Sequence, residues 1–155
     1  MQHKQVSKPD KFFLSPIFKR YFVITARIAF FVIFFWFGFL KLIGISPASP
    51  LAEALTAKTV GAEYFDLLFI VLAGFECLIG ILFLFPKADR VSICLLFIHM
   101  GIVCSPLILV PELTWQKFGV PTLEGQYIIK NIALIALAMG LYIHSDESLK
   151  KTEIR

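Results

Sequence analysis

Long apolar stretches alternate with short polar segments along this chain. Four stretches contain mainly apolar residues and glycine, and they cover residues 22–41, 67–85, 91–110 and about 127–143. A hydrocarbon core about 30 Å thick needs about 20 helical residues, so three stretches are long enough and the fourth is slightly short. Because backbone in contact with lipid must satisfy its hydrogen bonds within its own segment, each stretch is predicted to be a helix. The pattern therefore predicts an all-α integral membrane four-helix bundle.

The polar segments divide the chain into one membrane domain and two tails. We expect a basic tail over 1–20, a single four-span domain over 21–144 and a second tail over 145–155. The first stretch is interpreted as a retained span, because it is too long for a signal peptide and no small-residue cleavage site follows it. The short turn PKADR predicts an antiparallel hairpin of the second and third spans. In the first outer loop, LAEALTAK after Pro50 predicts a short interfacial helix.

Composition agrees with the membrane pattern. Hydrophobic residues make up 58% of the chain and charged residues 17%, whereas about 25% of a soluble domain is charged. The mean hydropathy is +0.81. The net charge of +4 reflects basic loops on one side of the membrane and needs no nucleic-acid partner. The partner that composition indicates is the lipid bilayer, including anionic lipid.

The basic residues outside the spans indicate the orientation. Two of them, Lys58 and Lys117, lie in the first and third loops. Because cytoplasmic segments are enriched in lysine and arginine, both termini are predicted to be cytoplasmic. The tails and the second loop hold ten basic residues: Lys4, Lys8, Lys11, Lys19, Arg20, Lys87, Arg90, Lys150, Lys151 and Arg155.

Ionisable residues inside the spans are the first candidate site. Arg27, Glu76 and His99 lie in three different spans. At about 1.5 Å per residue they lie roughly 9, 14 and 12 Å from the cytoplasmic edge. Ionisable groups at membrane depth usually face the bundle interior and mark functional sites. The three are therefore expected to form an intramembrane polar cluster.

Two interpretations of this cluster stay open. In the structural one, Arg27 pairs with Glu76 to orient the helices, and His99 is a hydrogen-bonded companion. In the functional one, the cluster is a proton-active or ligand-binding site. Arg27 could also extend to the inner interface. On the second span Gly80 lies one turn from Glu76, next to the small-residue pair Ala73/Cys77, and the fourth span has the pair Ala136/Gly140. These small residues are expected to face inward, where they would let neighbouring helices approach closely.

A second candidate site lies at the outer ends of the spans. Here a cationic and aromatic pocket could bind an anionic or quinone-like ligand. The alternative is that each lysine extends separately to the lipid headgroups. The expected pocket consists of Lys41, Trp115, Glu124, Tyr127, Lys130 and Asn131, with Glu112 nearby.

Histidine and cysteine spacing predicts no metal site. Two axial haem ligands should lie at similar depth, but His99 is in mid-span and His144 is at the cytoplasmic end. Cys77, Cys94 and Cys104 form no C-x-x-C pair and are interpreted as packing residues.

Several of these motifs resemble the DoxX-like superfamily. The run RIAFFVIFFWFGFLKL opens with an arginine and closes with a W-x-G-x-x-K element, as that superfamily's first span does, and FECLIGILFLFPKADR is similar to its second span. SPLILVPELTW and PTLEGQYIIKNIALIA resemble the branch of YkgB- and RclC-type inner-membrane proteins. The resemblance covers about residues 21–143. Its matching positions are Arg27, Trp36, Gly38, Lys41, Glu76, Gly80, Arg90, Pro111, Glu112, Trp115, Gly125 and Lys130.

The resemblance implies a small multi-pass protein of the bacterial cytoplasmic membrane. Some members are linked to thiosulfate–quinone oxidoreduction or to resistance against reactive chlorine and other oxidants. The first hypothesis is therefore an accessory or redox-stress component acting with a quinone or with a membrane partner subunit or second copy. The alternatives are a proton-coupled carrier or permease component using Glu76 and His99, and a structural or assembly subunit. No cofactor ligand set is evident, and whether the protein is an enzyme stays open.

Overall fold

The chain folds into four long helices with a small cap at one end. The computed structural model describes residues 15–153, with side-chain surroundings for 15–144. In chain order the elements are α1 (Pro16–Leu42), α2 (Ser49–Thr59), α3 (Phe65–Leu82), α4 (Asp89–Cys104), α5 (Pro106–Leu109), α6 (Pro111–Thr114), β1 (Trp115–Lys117), β2 (Val120–Pro121) and α7 (Leu123–Glu153). The long helices are α1, α3, α4 and α7; 3₁₀ turns at Ala62–Tyr64 and Pro86–Ala88 precede α3 and α4.

The predicted all-α four-helix membrane fold is confirmed. Four segments are long and apolar enough to cross a membrane, and we treat the chain as a multi-pass membrane protein. The large apolar side chains exposed along them are then covered by lipid. Which side the termini face stays a prediction. The spanning segments are Pro16–Leu42, Ala62–Leu82, Pro86–Leu109 and Leu123–His144.

Several helices begin or end at residues other than the expected ones, because of prolines and a helix cap. α1 begins at Pro16, inside the expected tail, because Ser15 accepts a hydrogen bond from the Phe18 backbone N–H at 3.2 Å. α3 ends at Leu82, and Phe85 is extended, as is favoured before Pro86. α4 ends at Cys104, and Pro106 starts a separate short helix. Residues 1–14 and 154–155 of the expected tails lie outside the described residues.

α1 and α3 pack closely at two glycines. A Cβ at Gly38 would lie 2.7 Å from the Ala73 carbonyl oxygen, and one at Gly80 would lie 2.7 Å from the Phe35 backbone nitrogen. These contacts fix the antiparallel register of the two helices. Gly38 is four residues from the end of α1, whereas Ala73 is eight residues from the start of α3. The last turn of α1 therefore lies beside the interior of α3.

The expectation that the small pair on the fourth span faces inward is wrong. Ala136 is exposed, and a Cβ at Gly140 would meet no atom within 4 Å. α7 instead packs on the bundle through Ala138 and Leu141, which are almost fully buried. Ala136 and Gly140 lie on a different face of this helix, which is turned away from the core.

An apolar layer forms the core between the helices. The rings of Phe30 and Phe83 stack with centroids 4.0 Å apart and an interplanar angle of 11°. Ile79 and Leu96 are fully buried in the same cluster, together with Leu141. This layer joins α1, α3, α4 and α7 and separates the two groups of buried charges described below.

The cap consists of α2, α5, α6 and the β1–β2 hairpin. The predicted short helix of the first outer loop is confirmed as α2. Trp115 anchors the hairpin by donating from Nε1 to the Leu107 carbonyl oxygen at 2.9 Å. Gly119, at φ 74°, forms the hairpin turn in the left-handed region that favours glycine. We call this end of the molecule the cap end, and the opposite end, with the α3–α4 turn, the turn end.

Candidate functional site

Three buried ionisable side chains meet in the interior of the bundle. The Lys41 ammonium donates to Oε2 of Glu76 at 2.5 Å, and His99 Nε2 lies 2.9 Å from Oε1 of the same carboxylate. The side chains of Lys41, Glu76 and His99 are only 5–8% exposed. We call this group the inner triad. It joins α1, α3 and α4 through a single carboxylate.

The positions of the three residues follow from the helix register. Lys41 is the penultimate residue of α1, where a cation is favoured by the helix dipole. The close approach at Gly38 brings this last turn within reach of Glu76 on α3. The rings of Phe34 and His99 pack edge to face, with centroids 5.3 Å apart and an interplanar angle of 74°. The charged groups are thus enclosed by aromatic and apolar side chains.

The hydrogen bonding of His99 leaves one ring nitrogen without a partner. In the neutral tautomer in which Nε2 donates to Oε1, Nδ1 carries a lone pair. Nδ1 is buried and has no hydrogen-bond partner among the residues that the structure describes. An unsatisfied buried acceptor costs about 1–3 kcal/mol, so this nitrogen calls for an explanation. It can accept a hydrogen bond or a proton from a ligand.

A second buried ion pair lies at the turn end. Arg27 NH1 and NH2 donate to Oδ1 and Oδ2 of Asp89 at 2.7 and 2.8 Å, which is a bidentate pair. NH1 also donates to the Phe83 carbonyl oxygen at 2.9 Å. Phe83 caps α3, where carbonyls lack helical partners, and Asp89 begins α4, where a negative charge is favoured. We call this group the turn clamp, because it ties both ends of the α3–α4 turn to α1.

The two groups correct part of the expected polar cluster. Glu76 and His99 meet as expected, but Arg27 pairs with Asp89, and Lys41 takes the place expected for Arg27. The expected Arg27–Glu76 pair is therefore wrong. Sequence reasoning also missed Asp89, the one acidic residue of the PKADR turn, whose only signal was its position at a helix start.

The outer pocket does not form around Lys41 and Lys130. Lys41 is buried in the inner triad, whereas Lys130 is exposed and its Nζ lies 4.9 Å from the centroid of the Tyr127 ring. Glu124 is exposed and Asn131 half-buried. Trp115, which also belongs to the expected pocket, donates its indole N–H to a backbone carbonyl of α5 as described above. Apart from the contact of Lys130 with Tyr127, no hydrogen bond, ion pair or ring contact joins these side chains to one another within residues 15–144.

Glu112, beside that expected pocket, forms a surface ion pair instead. The Lys58 ammonium donates to its two oxygens at 3.1 and 3.3 Å and so links α2 to α6. A backbone hydrogen bond at Glu112 itself and the hydrogen bond from Lys58 lower the pKa of this carboxyl group. Both side chains are half-exposed, so this pair is open to water.

Within the described residues, no group of three or more histidine, cysteine, aspartate or glutamate side chains could hold a metal ion. The cysteines Cys77, Cys94 and Cys104 are unbridged. Cys77 Sγ lies 3.7 Å from the Phe35 carbonyl oxygen, at the close contact of α1 and α3. The inner triad supplies side chains that can exchange hydrogen bonds and protons inside the bundle.

Comparison with known proteins gives no family assignment. No family model matches the chain, and neither the curated proteins nor the solved structures include a significant match. The resemblance to the DoxX-like superfamily stays a prediction.

Proposed function

We propose that this protein is a small accessory component of redox metabolism or oxidant defence in the bacterial cytoplasmic membrane, where its inner triad binds a quinone-type ligand. The observation that carries the proposal is the buried, unpartnered Nδ1 of His99. A quinol hydroxyl group could donate to this nitrogen.

The surroundings of His99 support a flat, apolar ligand. The Phe34 and Phe75 rings lie 5.3 and 6.3 Å from the His99 ring, centroid to centroid. Sites for small organic ligands are mostly apolar and aromatic, with a few polar groups that fix the orientation. Lys41 and Glu76 would hold the imidazole in the tautomer that presents Nδ1. A lipid-soluble ligand would reach such a site from the membrane, with side chains moving aside to admit it.

Quinone retention is the direct test. The full-length protein is purified from bacterial membranes into nanodiscs, and bound quinone is extracted and quantified per folded protein. His99→Phe removes the ring nitrogens, and Lys41→Met removes the partner of Glu76, so both variants are expected to lose most of the quinone. Lys130→Met alters an exposed cation outside the triad and is expected to retain it.

A matched control separates binding from folding. Asp89→Asn weakens the turn clamp without touching the triad and should retain quinone in proportion to the folded fraction. The proposal fails if wild-type protein carries no quinone and binds no added decylubiquinone. It also fails if His99→Phe binds as much as the wild type.

A proton-coupled carrier or permease component is the second candidate function. It is favoured by the same acceptor, because a proton needs less space than an organic ligand and Glu76 already bridges Lys41 and His99. In this case Glu76→Gln should abolish pH-dependent flux into liposomes, and unchanged flux would exclude the carrier. If Glu76→Gln changes only yield and thermal stability, the triad is a structural element and the protein a structural or assembly subunit.

A further inference from the structure

The turn end of the molecule carries exposed positive charge from two separate segments. Lys19 and Arg20 lie in the second turn of α1, and Lys87 and Arg90 flank the α3–α4 turn; all four are exposed. Across residues 15–28 and 83–94 the one acidic residue is Asp89, which is 4% exposed and paired with Arg27. The exposed cations of these two segments are therefore not neutralised by an acidic residue of either segment.

The cap end has the opposite balance. Its exposed cations Lys58, Lys117 and Lys130 are outnumbered by exposed acidic residues, and Lys58 is already paired with Glu112. Over residues 15–144 the exposed charge is thus asymmetric from end to end. The exposed acidic residues at the cap end are Glu53, Glu63, Asp66, Glu112 and Glu124.

The first turns of α1 are exposed at the turn end. The turn clamp ties Arg27 to the α3–α4 turn, and Val23 and Ala26 still pack on the core, whereas residues 16–22 are all exposed. At about 1.5 Å per residue this exposed stretch is roughly 10 Å long. Ile17 and Tyr21 on it are 69% and 67% exposed, next to Lys19 and Arg20. Exposed apolar and aromatic side chains alternating with cations suit the headgroup layer, where chains and phosphates are both within reach.

We propose that the turn end binds the headgroup of an anionic phospholipid between the first turns of α1 and the α3–α4 turn. Lys19, Arg20, Lys87 and Arg90 contact the phosphate layer, while Ile17 and Tyr21 contact the upper acyl chains. The rigid turn clamp keeps the two basic segments at a fixed spacing. The lipid's negative charge complements this end, and its acyl chains cover the apolar side chains that a soluble anion would leave in water.

Lipid titration of the full-length protein tests this site. The protein is delipidated in detergent micelles and titrated with palmitoyl-oleoyl phosphatidylglycerol or the matching phosphatidylcholine, and bound lipids are counted by native mass spectrometry. We expect a preference for phosphatidylglycerol that falls by about fivefold for each cation removed in Lys87→Ala and Arg90→Ala. The matched control, Lys117→Ala with Lys130→Ala at the cap end, should keep the wild-type preference.

Two results would overturn the proposal. One is a wild-type protein without preference for phosphatidylglycerol, and the other is a control variant that loses as much preference as the turn-end variant. If the turn-end variant does not fold, the wild-type protein is titrated at increasing NaCl concentration instead. The preference for phosphatidylglycerol must then fall as salt screens the exposed cations, and a full preference at high salt refutes the site. These readouts do not involve quinone, so they are independent of the function proposed for the inner triad.

Discussion

The inner triad and the turn clamp use the same kinds of side chain for different arrangements. In the turn clamp each carboxylate oxygen of Asp89 receives one nitrogen of Arg27, and the spare donor capacity of NH1 goes to the end of α3. In the inner triad one carboxylate is shared by two basic groups. Each group leaves one buried nitrogen without a partner among the described residues, Nε of Arg27 in the turn clamp and Nδ1 of His99 in the triad. The Arg27 nitrogen can only donate, whereas the imidazole nitrogen can also accept a hydrogen bond.

The difference indicates different roles. A planar bidentate pair at two helix ends fixes geometry and leaves no free oxygen for a ligand. A carboxylate held between an ammonium group and an imidazole can redistribute protons and hydrogen bonds without breaking the helix packing. We therefore interpret the turn clamp as structural and the inner triad as the functional candidate. The following variants test that distinction.

Breaking the turn clamp should have the largest effect on stability. Asp89→Ala leaves the Arg27 guanidinium buried without its counter-charge, and the expected loss is about 3 kcal/mol. The measurement is the free energy of unfolding in mixed micelles, followed by circular dichroism. Quinone bound per folded protein should not change.

A charge-free replacement is the control for this prediction. Arg27→Leu with Asp89→Leu leaves neither ion in the bundle and should recover much of the stability that Asp89→Ala loses. If the single variant is as stable as the wild type, the turn clamp is not what holds the α3–α4 turn against α1.

Neutralising Glu76 should reduce stability less than breaking the turn clamp does, but it should reduce ligand binding or flux more. In Glu76→Gln the amide oxygen can still accept a hydrogen bond, and we expect a loss of about 2 kcal/mol together with loss of ligand binding or pH-dependent flux. The same unfolding measurement is combined with the quinone assay.

The paired variant Lys41→Met with Glu76→Gln removes both charges of the triad. Stability should return towards the wild type, whereas ligand binding should not. Recovery of both properties, or a Glu76→Gln protein that differs from wild type only in stability, would make the triad equivalent to the turn clamp.

The close contacts at Gly38 and Gly80 set the register of α1 and α3, and adding one methyl group there should destabilise the protein. A Cβ at Gly80 would lie 2.7 Å from the backbone nitrogen of Phe35, so Gly80→Ala should force α1 and α3 apart at a cost of about 1–2 kcal/mol. Gly140→Ala is the matched control, because a Cβ there meets no atom within 4 Å. Equal thermal stability of the two variants would contradict the close α1–α3 packing.

The four spans could be predicted from the sequence because each is a long apolar run. The contact of Glu76 with His99 could be predicted because the two residues lie at similar depths on neighbouring spans. The sequence could not show which cation binds Glu76. A depth counted along one helix assumes that all spans start at the same level, whereas α1 starts further out, at Pro16, and its offset is set by contacts such as Gly38 with Ala73. With that offset, Arg27 lies at the turn and Lys41 lies beside Glu76.

The pair of Lys58 and Glu112 at the cap end should have the smallest effect, because both side chains are half-exposed and surface pairs contribute little. Since the pKa of Glu112 is lowered in the folded protein, its stabilisation is present above the ordinary carboxyl pKa and is lost as the pH falls through the lowered value. Lys58→Met should therefore bring a slight decrease in melting temperature at neutral pH that disappears in acid. Glu112→Gln should behave in the same way. A decrease as large as that of Asp89→Ala, or one that grows in acid, would show that this exposed pair stabilises the cap as strongly as the buried pair stabilises the turn.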